Sequence, residues 1–319
     1  GGALVGAAGL ALAVAGLLRG SFAVFVLSGL CVGVLGAVSQ FYRFAAAEAV
    51  PAAQRGQAIS LTLAGGVLAA FLGPFIARNT RDLVATPFLA SFAALVGIAL
   101  LAAGIGVFLR LPVPPRPEAG RPPRRLREIA RLGDFRLAVA GGAVGYAAMG
   151  LLMTATPLAM LCVRHDFAAT ATVIQWHLVA MFAPSFVTGL LIGRIGVLQT
   201  MLAGGALVLA GIGVALSGEA IPHFGVALAL VGVGWNFLYV GATTLLTQTC
   251  RDEEKPAVQA FNDSVVFLSV TLATLGAAWL VDELGWATVN RLAAVPVLLL
   301  MAGVLGALWR RRAGLASAA

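Results

Sequence analysis

The stretch Pro112-Val-Pro-Pro-Arg-Pro-Glu-Ala-Gly-Arg-Pro-Pro-Arg-Arg-Leu-Arg-Glu-Ile-Ala-Arg-Leu-Gly133 is the one long polar interruption in an otherwise apolar chain of 319 residues. Proline and arginine dominate it, a composition that keeps the backbone extended and solvated. On both sides of it, apolar stretches of about 20 residues recur, each long enough to cross a hydrocarbon layer of ~30 Å as a helix. Before it they run Gly2 to Leu18, Phe22 to Tyr42, Gln57 to Ile76 and Leu83 to Leu111. After it they run Phe135 to Val163, Ala168 to Gly193, Leu198 to Leu216, Phe224 to Thr249, Val258 to Val281 and Trp286 to Trp309. Four spans, a linker and six spans describe an all-α membrane protein, with a helical half in 1–111, a linker in 112–133 and a second half in 134–319.

Composition agrees with that outline. Hydrophobic residues make up 60% of the chain, charged residues 11%, and the mean hydropathy is +0.97, which excludes a water-soluble globule. A net charge of +8 invites a nucleic-acid reading, but the basic residues fall between spans rather than on one soluble face. With the linker placed in the cytoplasm, alternate loops and the C-terminus join it. Of the 21 Lys and Arg, only Arg19, Arg78, Arg81, Arg164 and Arg291 then lie outside. This bias is the positive-inside rule; it predicts a multi-pass protein of the inner-membrane type with the linker and C-terminus in the cytoplasm, the lipid bilayer as partner and no nucleic acid.

Other classes find little footing. Cys31, Cys162 and Cys250 are too scattered for a disulfide framework or a zinc site. No signal-peptide pattern or polar leader precedes the first span. Asp252-Glu253-Glu254 reads as a solvated loop without the paired acidic spacing of a metal-dependent membrane prenyltransferase, so an enzyme is not expected.

Two short patterns suggest a repeat. Pro51-Ala-Ala-Gln54 after the second span resembles Pro256-Ala-Val-Gln259 after the eighth, as in transporters built from parallel repeats. The turn after the sixth span reads Gly189-Leu-Leu-Ile-Gly193-Arg194-Ile-Gly196. It resembles the C-terminal copy of the glycine-arginine loop signature of the major facilitator superfamily. That resemblance implies twelve helices in two pseudo-symmetric halves. The sixth span is then the family's helix eight and the first its helix three, so ten of twelve helices are present and 1–111 holds helices three to six.

The soft side chains cluster. Of six methionines, Met149, Met153, Met160 and Met181 share one window with His177, one of three histidines. Met149 with Met153 and His177 with Met181 are i, i+4 pairs, each on one side of its helix. In an antiparallel hairpin, residues at one depth have numbers of constant sum, and 149 with 181 and 153 with 177 both give 330. Thioether and imidazole at matched depth suit Cu(I), which prefers soft neutral donors. The competing reading is packing, since methionine fills gaps in apolar cores, although a histidine in mid-span is costly without a role.

MxxxM on the family's helix seven followed by HxxxM on helix eight is similar to the bacterial copper importers of the CcoA type. That resemblance implies copper uptake across the inner membrane for cytochrome oxidase assembly. Its metal motifs carry over to Met149, Met153, His177 and Met181, with copper as substrate, no cofactor, and copper chaperones on either side as partners. The rivals are an exporter of a small organic molecule or drug, and a copper-binding sensor. Secondary candidates are Cys162 and His165 at the outer turn, read as an entry site or as filler and solvated turn, and Met160 behind Pro157, on a sulfur path or facing lipid. Trp235, Asn236 and Tyr239 lie on what the resemblance makes a cavity-lining helix. Asn236 faces that cavity or joins two helices. Asp263 is read as a proton site or as a partner for Arg194.

Overall fold

Hydrocarbon offers backbone N–H and C=O groups no partner, so an apolar stretch must satisfy them within itself as helix. The computed structural model describes residues 1–39, 42, 55–108 and 124–314. Each of the ten apolar stretches forms helix: α1 (Gly2–Leu18), α2 (Phe22–Ser39), α3 (Arg55–Thr80), α4 (Leu89–Phe108), α5 (Gly133–Cys162), α6a (Phe167–Phe182) with α6b (Ser185–Ile195), α7 (Val197–Ser217), α8 (Ile221–Thr247), α9 (Lys255–Leu275) and α10 (Ala277–Arg312). Seven of the described helices, α2, α4, α5 and α7 to α10, are long and apolar enough to cross a membrane. The pair α6a and α6b, bent by 43°, is long and apolar enough to cross when taken as one broken span, and α1 is a shorter apolar helix of 17 residues. Residues 51–54 of the repeat and 112–123 of the linker lie outside the described residues.

The chain divides into two compact units, Gly1–Arg116 and Pro117–Ala319. In the first, α1 packs along α2 and α4, and α3 touches α4. Gly2, Gly6, Gly9 and Gly16 of α1 meet Val38, Leu35, Cys31 and Phe25 of α2 in reverse order, an antiparallel contact made close by the missing side chains. Cys31 is therefore a packing residue, filling the space that a Cβ on Gly9 would need. Ala7, Leu10 and Ala99 form the buried centre, and Phe25 meets Phe92 edge to face at 5.3 Å.

The second unit is organised around α8, which packs along α7, α5 and α6a, while α5 also packs on α9 and α10. At the α7–α8 crossing the backbones touch. A Cβ on Gly204 would stand 2.8 Å from the Gly234 carbonyl oxygen and the Leu238 nitrogen, and one on Gly211 would stand 2.7 Å from the Ala227 carbonyl oxygen. Between α6b and α7 the chain turns at Gly196, whose φ of 93° lies in the left-handed region that glycine adopts freely. The tenth stretch starts nine residues earlier than its apolar run suggests, because helix continues back to Ala277 through a break at Gly285 (φ 76°). After that break Trp286 Nε1 donates to the Ala215 carbonyl at 3.1 Å, tying α10 to the end of α7.

At the arginine-rich end, Glu254 corrects the expectation of a solvated acidic loop. It is buried, because the end of the linker folds onto the α8–α9 connection. Arg124 grips its carboxylate with Nε at 2.8 Å and Nη2 at 2.8 Å, and the Arg124 and Arg251 backbone N–H groups donate to it at 3.0 and 2.9 Å. These donors, Arg124 first, hold the Glu254 carboxyl down at about 2 from an ordinary 4.5 against the opposing effect of burial. Asp263 accepts from its neighbour Asn262 at 3.1 Å, and no ion pair joins it to Arg194 among the described residues.

Two outcomes test these contacts. Gly204→Ala forces α7 and α8 apart and lowers stability in detergent by roughly 1–3 kcal/mol, whereas Gly213→Ala, with open space at its Cβ, leaves the melting temperature unchanged. Because the folded-state value of Glu254 lies below its unfolded one, its contribution is complete above pH about 4.5 and is lost as pH falls toward about 2. Melting curves over that window should show this loss, and Glu254→Gln should remove that component of the pH dependence.

Candidate substrate site

Helix α8 presents three stripes. Ala227, Val231, Gly234 and Leu238 lie against α7, while Leu228, Gly232 and Asn236 lie against α6a and its continuation. Between these stripes, one turn apart, stand Trp235 and Tyr239. Their rings stack at 5.2 Å with 8° between planes. Tyr146 of α5 meets both edge to face, at 5.2 Å from Trp235 and 5.5 Å from Tyr239. Phe182, at the end of α6a, meets Trp235 at 6.2 Å, and Phe267 of α9 meets Tyr146 at 5.9 Å. Five aromatic rings from four helices thus form one continuous cluster, arranged in the edge-to-face and offset ways that the ring quadrupole favours. Trp235 is buried and its indole Nε1 has no hydrogen-bond partner among the described residues.

A polar network stiffens the wall beside it. Asn236 donates through Nδ2 to the Met181 carbonyl and to Ser185 Oγ, each at 2.7 Å, and its Oδ1 accepts from Thr188 Oγ1 at 2.6 Å. These bonds cross the bend at Ala183–Pro184, where the α6 ladder is interrupted, and hold both segments to α8. The cavity-facing reading of Asn236 is therefore corrected: it is 1% exposed and its amide joins helices.

His177 is fully buried, with Nδ1 2.6 Å from the Leu228 carbonyl oxygen. A carbonyl only accepts, so Nδ1 carries the proton and the lone pair sits on Nε2, which has no partner among the described residues. Met149 and Met181 are buried in the main core, and Met153 packs against it half-buried. Gly141 and Gly145 of α5 face Ala242 and Leu238 of α8. His177 faces Leu228 and Gly232, and Met181 faces Asn236. Helix α8 packs along both α5 and α6a, while those two touch each other only slightly.

The secondary candidates separate. Met160 is wholly buried in the core rather than facing lipid. His165 donates or accepts through Nε2 at the Glu219 carbonyl, and since a carbonyl only accepts, it donates, at 2.8 Å. Its ring meets Phe224 at 5.9 Å, so it ties the α5–α6a turn to the start of α8. Cys162 is exposed at the end of α5. Gly189 and Gly193 lie exposed along α6b, with Arg194 exposed beside the turn at Gly196. Tyr146 and Phe182 escaped the sequence reading. The available signal was rarity: Tyr146 and Tyr239 are two of three tyrosines, and they meet at one tryptophan.

Residues 138–317 match the family model described as Major Facilitator Superfamily. The chain is 40% identical over 295 residues to the riboflavin transporter RfnT of Brucella anthropi, covering 91% of this chain and 73% of that protein. It is 30% identical over 244 residues to the uncharacterised MFS-type transporter YdeG of Bacillus subtilis, covering 71% of this chain and 57% of that one. Among solved structures, the E. coli fucose:proton symporter FucP superposes with a TM-score of 0.62 at 15% identity, over 95% of this chain and 81% of that one. A bacterial homologue of the iron transporter ferroportin in its outward-facing state gives 0.60 at 15% identity, over 96% and 81%. At those identities the structures speak for the fold alone. These matches lend no support to the copper-importer type.

Removing the Asn236 amide leaves the carbonyl of Met181 and two hydroxyls without that partner. Asn236→Ala should lower unfolding stability by about 1–3 kcal/mol, read as a drop in melting temperature of the purified protein.

Proposed function

This chain belongs to the major facilitator superfamily and is a secondary transporter, and we propose that its substrate is a planar heteroaromatic solute of the flavin class. The observation that carries this reading is the cluster of Tyr146, Trp235, Tyr239 and Phe182 on the central helices of the second unit. A flat ring system is bound by aromatic faces at low entropic cost, since Trp and Tyr have few rotatable bonds to order. The orphaned Trp235 N–H adds a donor for a polar edge of such a ring. The 40% identity to a riboflavin transporter over most of both chains supports the same class.

Uptake of labelled riboflavin by riboflavin-requiring cells producing the protein tests it. Stacking on one aromatic side chain contributes about 1–3 kcal/mol in other base-stacking proteins. Tyr239→Ala should therefore raise the half-saturating concentration about tenfold, the equivalent of roughly 1.4 kcal/mol, with Tyr239→Phe much closer to the unsubstituted protein. Uptake no faster than in cells lacking the protein would overturn the reading.

A second reading, copper import, is favoured by one observation: His177 keeps an unshared lone pair on Nε2 while a backbone carbonyl fixes its tautomer, the arrangement common to metal-ligating histidines. Met149, Met153 and Met181 would supply the soft donors. Cellular copper accumulation separates the two. Under the copper reading His177→Ala abolishes a copper influx that depends on the protein; under the flavin reading no such influx exists.

A further inference from the structure

The arginine-rich end of the second unit holds a basin of about 610 Å³. Arginines reach it from the linker end, the start of α5, the α8–α9 connection and the end of α10. Two are engaged: Arg124 with Glu254, and Arg311 with Asp134 at 2.7 Å. Arg131, Arg136, Arg251 and Arg310 are exposed and form no ion pair among the described residues. Asp134, the one carboxylate in the lining, is already neutralised by Arg311.

A second cavity, about 490 Å³, adjoins the basin and shares Gly133, Asp134, Arg136, Ala307 and Arg310 with it. This one is an apolar groove between α5 and α10, walled by Leu137, Ala140 and Val144 on one side and Pro296, Leu299 and Gly303 on the other. From Pro296 to Ala307 it follows α10 for three turns, about 16 Å. Gly303 keeps its floor open, since the nearest atom to an added Cβ is Leu137 Cδ1 at 3.5 Å.

We propose that the basin and groove together bind one anionic phospholipid of the leaflet on this side, with its phosphate among Arg136, Arg310 and their neighbours and an acyl chain along α5 and α10. Loop arginines in general follow from the positive-inside bias, and that bias places this end in the cytoplasm. It does not explain why four unpaired guanidiniums converge on a hollow from which an apolar groove departs. A zwitterionic headgroup would bring its own ammonium into this cationic basin. A soluble phosphate would leave the groove unused. Basic pockets between membrane helices on the cytoplasmic side are a recurrent means of holding acidic headgroups.

The test is native mass spectrometry of the purified full-length protein offered equimolar phosphatidylglycerol and phosphatidylcholine. The site predicts at least a fivefold preference for phosphatidylglycerol. That preference falls to parity in Arg136→Gln/Arg310→Gln and declines in Gly303→Leu, which fills the groove without changing charge. It survives in Arg127→Gln/Arg312→Gln, which removes the same charge outside the basin. Equal binding of both lipids by the unsubstituted protein would overturn the site, as would equal loss in the control pair. Full displacement of the lipid by inorganic phosphate, or an unchanged preference in Gly303→Leu, would also overturn it. Elution of every variant as a single monodisperse species confirms that the comparison is between folded proteins.

Discussion

The second unit depends on the contact between the backbones of α7 and α8. With no hydrophobic force to drive helices together inside hydrocarbon, association rests on close packing and on hydrogen bonds that lipid cannot supply. Gly204, Gly211 and Gly234 permit that packing, because at each of them a single added carbon would come within 3 Å of backbone atoms of the facing helix, which cannot move aside as a side chain can. Once α8 lies on α7 it occupies the middle of the unit, and α5 and α6a take up its remaining flanks.

That placement determines which residues form the candidate site. A helix with α7 on one flank and α6a on another has only a narrow stripe left, and on α8 that stripe carries Trp235 and Tyr239. Tyr146 arrives from α5 and Phe182 from α6a because those helices border the stripe.

The bend in α6 is the second consequence. Pro184 removes a backbone donor where α6a ends, and Asn236 from α8 supplies bonds to both sides of the interruption. A polar residue buried at this depth thus serves the geometry of the wall that the aromatic cluster leans on. Beyond the end of α8, Glu254 is buried for a comparable reason: it gathers backbone and guanidinium donors from the linker end and the α8–α9 connection.

The sequence by itself determined the helical stretches and the glycine turn at Gly196. Each of these is local. It follows from hydropathy over about 20 residues or from one backbone angle, and none needs a neighbour to be known. Only the tertiary structure decided that α8 stands between α5 and α6a, that Asn236 joins helices, that Glu254 is buried, and that Tyr146 and Phe182 belong with Trp235 and Tyr239. The physical reason is that every face of a membrane helix is apolar enough to meet either lipid or protein. Hydropathy therefore says that a residue is in the membrane without saying what it faces, and that choice is made by the small residues and buried amides that let one pair of helices approach more closely than another.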